Sequence, residues 1–302
     1  MKVFVTGGTG FVGQEVIRQL IAAGHQVVAL VRTGSEKKLA PVPEAKLQPG
    51  DVLQPDTLHE GLKGCDAVIH LVGIIREFPG KGVTFGKLHT EATRQVIKAA
   101  QSQGVQRYLQ MSANGARPNA ATDYHKTKWA AEESVRNSAL DWTIFRPSLI
   151  FGPGDQFVNT LADLIRKFPV IPVIGNGRYK MTPVAVENVA AGFVAALEQP
   201  ASTGQTYHCG GPQDLSYDEI LDLIGRALGK NRVAKLHQPL LLMKPAIHML
   251  QSIQQFPITR DQLTMLLEGN SCDPTSWAEA FKLELTPFYP GICSYLQSTS
   301  AA

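Results

Sequence analysis

Tyr124-His-Lys-Thr-Lys128 sets a phenol and an ammonium four residues apart, the spacing that brings side chains together on one face of a helix. A nearby cation favours phenolate and draws a tyrosine down from its ordinary pKa of about 10 toward the range useful for proton transfer. Tyr124 is then a candidate acid or base toward a hydroxyl or carbonyl, with Lys128 as the group that tunes it. With seven tyrosines in the chain, a Tyr/Lys pair at this spacing also arises by accident. Its weight depends on where the fold puts it.

A second chemistry sits at the amino end, where the apolar run Lys2-Val-Phe-Val-Thr6 leads straight into glycines at 7, 10 and 13. Gly7 allows the tight turn off a strand, Gly10 lets backbone approach a pyrophosphate, and Gly13 lets the next helix pack on the sheet. Phosphates then meet free N–H groups and the positive end of a helix dipole. Thr9, Phe11 and Val12 lie between these glycines and count with them as cofactor contacts. Beside such a turn, Lys128 would also hold the ribose of a nicotinamide.

The elements that must position these groups alternate. Phe11, Val12, Val16, Leu20 and Ile21 repeat near 3.6 residues and predict a helix closed by Gly24; Gln26–Val31 reads as a second buried strand. A short strand at 45–48 and a short helix at 57–62 follow. Asp66–Val72 is the next buried strand, which puts Leu71, Val72 and Gly73 at its carboxyl end, the side where ligands bind in such sheets. A long helix over 87–103, a strand at 106–111, a helix at 124–137 and a strand at 142–145 complete the alternation. From Phe151 the pattern turns irregular, with prolines at 153, 169, 172 and 183. The expectation is an α/β fold, a Rossmann-type doubly wound parallel sheet over 1–168 to which 184–210 returns, with 169–183 and 211–302 forming a smaller C-terminal α/β substrate lobe. Helices near 216–228, 240–253 and 260–267 would belong to that lobe. The apolar stretches Pro239–Met243 and Pro245–Leu250 read as a core helix or as a membrane-adjacent or subunit-facing surface.

Composition removes several classes. A net charge of +3, with 18% charged residues and no long like-charged block, points away from nucleic acid and from anionic membrane surfaces. No apolar run reaches the length of a membrane span, and the chain opens inside a strand, which predicts a cytoplasmic protein without a leader. The four cysteines, at 65, 209, 272 and 293, lack metal spacing and read as reduced and structural; no metal is expected. Among eight histidines, His70 and His125 fall closest to the expected site.

The cofactor is read from the end of the second strand. An acidic residue there takes the 2′-hydroxyl of NAD, whereas Leu30-Val-Arg32-Thr-Gly-Ser35 offers a guanidinium and a hydroxyl, which suit the 2′-phosphate of NADP. The bland alternative is a solvated loop arginine. Asp51-Val52 either faces an adenine edge or closes a turn after Gly50.

These segments, Thr6–Gly13, Gly50-Asp-Val52, Tyr124-x-x-x-Lys128, Arg146–Gly154, Val184–Ala190 and Tyr207–Gly211, together resemble the extended or atypical short-chain dehydrogenase/reductases over nearly the whole chain. Ser112-Ala-Asn-Gly115 and Ile258–Leu263 look most like the branch that contains the nucleotide-binding accessory subunit of respiratory complex I. The resemblance implies Pro147 and Ser148 near the nicotinamide, a small-molecule substrate covered by the second lobe, and a respiratory-complex protein as a partner. It also places a catalytic serine or threonine just past the fifth strand. Ser112 is the candidate, but the place aligns as well with Ala113, and Asn114 could donate instead. Three functions follow: an NADP-dependent oxidoreductase or epimerase, a non-catalytic NADPH-binding accessory or assembly protein, and a sensor of the NADP redox state.

Overall fold

The computed structural model describes residues 1–39, 42, 44–241 and 259–297, which fall into two compact units. The first comprises Met1–Pro147, Val186–Cys209 and Thr275–Glu284. Its seven strands are β1 (Lys2–Thr6), β2 (Gln26–Val31), β3 (Lys46–Pro49), β4 (Ala67–His70), β5 (Arg107–Met111), β6 (Asp141–Pro147) and, late in the chain, Gln205–Cys209. All pair in parallel, and the last strand lies beside β6 while β3 forms the opposite edge. Central strands are apolar along their length because both sheet faces are covered; β4 is buried at all four residues.

One face carries a core of Phe4, Val28, Val68, Tyr108 and Ile144 packed with Leu58 and Leu62 of α2 (Pro55–Leu62), Val96 of α3 (Ala92–Ser102) and Val135 of α4 (Asp123–Arg136). Side chains alternate along a strand, so Thr6, His70 and Gln110, two residues beyond Phe4, Val68 and Tyr108, share this face. They also stand in register, Thr6 opposite His70 and His70 opposite Gln110. The other face is covered by α1 (Phe11–Ala22), which packs on Val186–Leu197. Ahead of α3 the expected long helix opens instead as a π-helical turn, Gly86–Glu91, whose wider ring re-aims the side chains it carries.

The second unit comprises Ser148–Ala185, Gly210–Pro274 and the chain from Leu285 onward. Here Val158, Leu161 and Ile165 of α5 (Phe157–Lys167) pack with Ile220 and Ile224 of the helix Tyr217–Ala227 and with Phe288 and Ile292 of the helix Phe288–Leu296. Among the described residues it also holds three two-stranded ladders: β7 (Ile150–Phe151) with Val184–Ala185, β8 (Val170–Ile174) with Ala234–Gln238, and Lys180–Met181 with Leu215–Ser216. The helix Tyr217–Ala227 starts from a reciprocal Ser216/Glu219 cap.

Two sequence expectations differ from this layout. The first unit stops at Pro147 rather than at 168, because the residues of α5 bury their apolar stripe in the second unit's core. Likewise Val184-Ala185 pairs with β7, so the return to the first unit begins at Val186. The expected helix near 240–253 and the apolar stretches around it lie largely outside the described residues.

Candidate nucleotide-binding site

The glycine turn is held by a short ring of backbone bonds. Gly10 N–H donates to Gly7 O at 3.0 Å, and Gln14 N–H donates to Gly10 O at 3.0 Å as α1 begins. Gly7 has φ +76°, and a Cβ there would lie 3.0 Å from the Leu71 carbonyl carbon and the Val72 nitrogen. A side chain at Gly13 would run into the Gly7 carbonyl oxygen, and it would stand 2.7 Å from Gly8 Cα. The turn therefore packs directly on the end of β4, bringing Gly7, Gly10 and Gly13 together with Leu71 and Val72. Gly10 is exposed, Thr9 and Phe11 are half-exposed, and Val12 is buried in the α1 packing, so Val12 can offer a ligand only its backbone. α1 has no side-chain cap and no acidic residue in its first turn. Its amino end is left open to an anion.

Arg32 is exposed just past β2, and Ser35 N–H donates to its carbonyl at 2.9 Å. Asp51 Oδ1 accepts from Leu53 N–H at 2.9 Å, and Thr57 Oγ1 donates to the Asp51 carbonyl at 3.1 Å. That is the turn-closing arrangement, reached before α2 and made by the carboxylate itself. Val52 is part of the core.

Thr122 starts α4, its hydroxyl accepting from His125 N–H at 3.3 Å, which puts Tyr124 in the first turn and Lys128 one turn later. Lys128 is buried, and its Nζ donates to the Met111 carbonyl at 3.2 Å. A Cβ on Gly73 would lie 2.9 Å from that Nζ. Gly73 and Lys128 thus meet, the end of the lysine side chain lying where a side chain at position 73 would stand. Burial pulls Lys128 down to about 8, with Glu132 partly opposing.

The Tyr124 phenol behaves contrary to the sequence expectation. Its ring lies among Phe85, His89 and His125, with centroids 5.7, 5.3 and 5.2 Å away in edge-to-face arrangements. Burial pushes its pKa up to about 12, and no opposing cation draws it down. The ammonium expected to do so is turned to the Met111 carbonyl. The phenol is consequently a proton donor at neutral pH, not a phenolate.

Ser112 continues the β5 ladder, its N–H donating to Phe145 O at 2.7 Å, and its buried Oγ has no partner among the described residues. Ala113 is buried, and Asn114 Oδ1 contacts His208 Nδ1 at 2.8 Å. Pro147 ends β6 within the first unit. Ser148 opens the second unit, where its hydroxyl donates to Asn270 O at 2.5 Å. His70 is fully buried, with Nδ1 2.6 Å from Thr6 Oγ1. His125 is buried against Gly115: a Cβ there would lie 2.9 Å from its Nε2.

His89 is a site residue that the sequence does not mark. Carried by the π-helical turn, its Nε2 lies 3.1 Å from both the Ile74 nitrogen and oxygen, and its Nδ1 lies 2.9 Å from Thr127 Oγ1. One imidazole ties the loop after β4 to α4. Burial lowers its pKa to about 2, with the Lys128 charge adding to the effect. No spacing rule marks a lone histidine in a helical pattern; only the π turn gives it this aim.

Residues 7–200 match the protein-family model described as NAD(P)H-binding. The chain is 33% identical over 231 residues to NADH dehydrogenase (ubiquinone) 1 alpha subcomplex subunit 9, mitochondrial, of Arabidopsis thaliana, covering 73% of this chain and 56% of that protein. It is 31% identical over 198 residues to the ceramide reductase of Caulobacter vibrioides, covering 66% and 61% respectively. This chain therefore spans less than two thirds of the length of these relatives. Among solved structures it superposes on DesIV, a dTDP-glucose 4,6-dehydratase from Streptomyces venezuelae with NAD and TYD bound, at a TM-score of 0.79 and 19% identity, covering 100% of this chain and 97% of that one. At that identity the likeness speaks for the fold.

Proposed function

Since the chain belongs to the NAD(P)H-binding family, we propose that it is an NADP(H)-dependent reductase of the short-chain dehydrogenase type, reducing a carbonyl on a small molecule. The observation that carries this reading is the convergence, in one unit, of the glycine turn on β4 and of Lys128 on Gly73. The residues fit a dinucleotide: the space a Cβ would fill at Gly7 and Gly13 is closed to side chains, while the exposed Gly10 and the uncapped start of α1 suit a pyrophosphate. Arg32 and Ser35 would take a 2′-phosphate, Lys128 the nicotinamide ribose, and Pro147 and Ser148 would line the nicotinamide; Leu71, Val72 and Gly73 would back it. Asp51, busy closing its turn, has one carboxylate oxygen left for an adenine edge. A bound nicotinamide would supply hydride. Tyr124 would give its proton to the oxygen of the carbonyl being reduced, a task that suits a neutral phenol. Ser112 would orient the same oxygen. The cytoplasmic location read from the sequence is part of the same proposal.

A second reading is favoured by the similarity to subunit 9: the chain holds the nucleotide as a structural element and docks on a respiratory-complex protein. Loading the protein with NADPH and offering ketones, quinones and sugar nucleotides separates the two. Carbonyl-dependent loss of nicotinamide absorbance supports the reductase. No oxidation across that panel, with nucleotide exchange slower than hours and a large thermal shift on binding, overturns it in favour of the structural role.

A further inference from the structure

Three buried groups on one face of the first unit's sheet have unused hydrogen-bonding capacity. Among the described residues His70 Nε2 and Ser112 Oγ have no partner, and Lys128 has three N–H donors but one acceptor, the Met111 carbonyl. Their placement is common. His70 stands opposite Gln110, Ser112 lies two residues beyond Gln110 on the same face, and the Lys128 Nζ is bonded to the residue between them. Burying such groups unsatisfied forfeits the hydrogen bonds they would make to water. A site with several polar partners is where an internal water binds, usually through about three bonds.

We propose that one internal water joins His70, Lys128 and Ser112, accepting from the Lys128 ammonium and donating to His70 Nε2 and to Ser112 Oγ. His70 must then carry its ring proton on Nδ1, donated to Thr6 Oγ1 at 2.6 Å, because only that tautomer turns a lone pair toward the ammonium. His70 is thereby a positioning residue: it fixes the lysine through the water and leaves the Ser112 proton free to be donated onward. Other groups share the environment. The Lys128 charge also acts on His89 and is felt by Glu132, and the Tyr108 ring lies 6.4 Å from that of His70. Burial and the Lys128 charge keep His70 neutral, near a pKa of about 3, so it acts as an acceptor throughout the physiological range. The inference holds whether or not the chain turns a substrate over.

The test uses the full chain without nucleotide, with ring-15N histidine and 13Cε lysine, following His70 and Lys128 by NMR. The expected result is a neutral His70 protonated on Nδ1, whose Nε2 resonance moves in Lys128→Met and in Ser112→Ala. Protonation on Nε2, or a resonance unmoved by both substitutions, overturns the water bridge. The titration midpoint of Lys128 should fall by about one unit, a tenfold change in its equilibrium, in His70→Leu and recover in His70→Gln, whose amide oxygen can accept. Equal midpoints in all three proteins would overturn the positioning role. If His70→Leu does not fold, the wild-type tautomer decides by itself.

Discussion

Adding one methyl group at either of two glycines should separate the turn's roles in folding and in binding. At Gly73 the new Cβ would lie 2.9 Å from Lys128 Nζ, 3.5 Å from its Cε and 3.7 Å from His89 Nε2. The closest atom is the end of a flexible side chain, which can swing away, so folding in Gly73→Ala should be nearly intact, within about 1 kcal/mol. What is lost is the ammonium's place over the strand end. One charge-assisted hydrogen bond to the nicotinamide ribose is worth about 1.5–3 kcal/mol, or roughly a 10- to 150-fold weaker NADPH dissociation constant. At Gly13 the obstacle is rigid: the Gly7 carbonyl and, at 2.7 Å, Gly8 Cα. Gly13→Ala should therefore lose stability as an overpacked site does, by about 1–3 kcal/mol or more, and bind poorly as well. Denaturant titration gives the first quantity and calorimetry with NADPH the second. If Gly73→Ala folds normally and binds NADPH as tightly as the wild type, Lys128 does not reach the nucleotide, and the assignment of the site fails.

Three further outcomes follow from the same geometry. The wild type should bind NADPH more tightly than NADH, and Arg32→Asp should erase or reverse the preference; equal affinities in the wild type by calorimetry would remove Arg32 from the site. Tyr124→Phe should leave the melting temperature and NADPH binding nearly unchanged while slowing hydride transfer to any accepted carbonyl by about a hundredfold or more, and full turnover by that variant would end the acid role. His70 and His89 stay neutral in the fold, with pKa values near 3 and 2 against 6.5 in an unfolded chain. Between those limits the unfolded state binds more protons, so stability is complete above about pH 6.5 and declines as the pH falls toward 3; a denaturation midpoint that is flat across that window would contradict the burial of both rings.

The parts of the molecule set by local pattern were legible in the sequence. β1, α1 and β2 announce themselves because strand, turn and helix each have a period, and the glycines must sit where backbone meets backbone. The same holds for the 3.6-residue stripe of α5, Val158, Leu161, Ala162 and Ile165, yet the prolines around it masked the pattern as irregular chain. Where such a helix docks is a tertiary fact: its stripe could have faced either unit, and the partners that claim it, Phe288 and Ile292, come from the far end of the chain.

The site's electrostatics were legible only in part, for a reason that applies beyond this chain. Spacing fixes which residues share a helix face, and on that basis Tyr124 and Lys128 belong together. It does not fix where a long side chain sends its charge. Lys128 has an acceptor in the Met111 carbonyl, offered by a strand end seventeen residues earlier in sequence. With the ammonium there, desolvation governs both groups and moves them toward neutrality from opposite directions, the phenol up to about 12 and the lysine down to about 8. An i, i+4 rule that assumes mutual stabilisation of charges has the sign wrong for such a pair, because each loses more from burial than it gains from the other. A bound ribose that accepts from Lys128 would favour the ammonium again. If Lys128 holds the ribose as proposed, the pair's protonation is coupled to cofactor binding, and a Tyr124 titration that moves to lower pH when NADPH binds, and not in Lys128→Met, would be its direct signature.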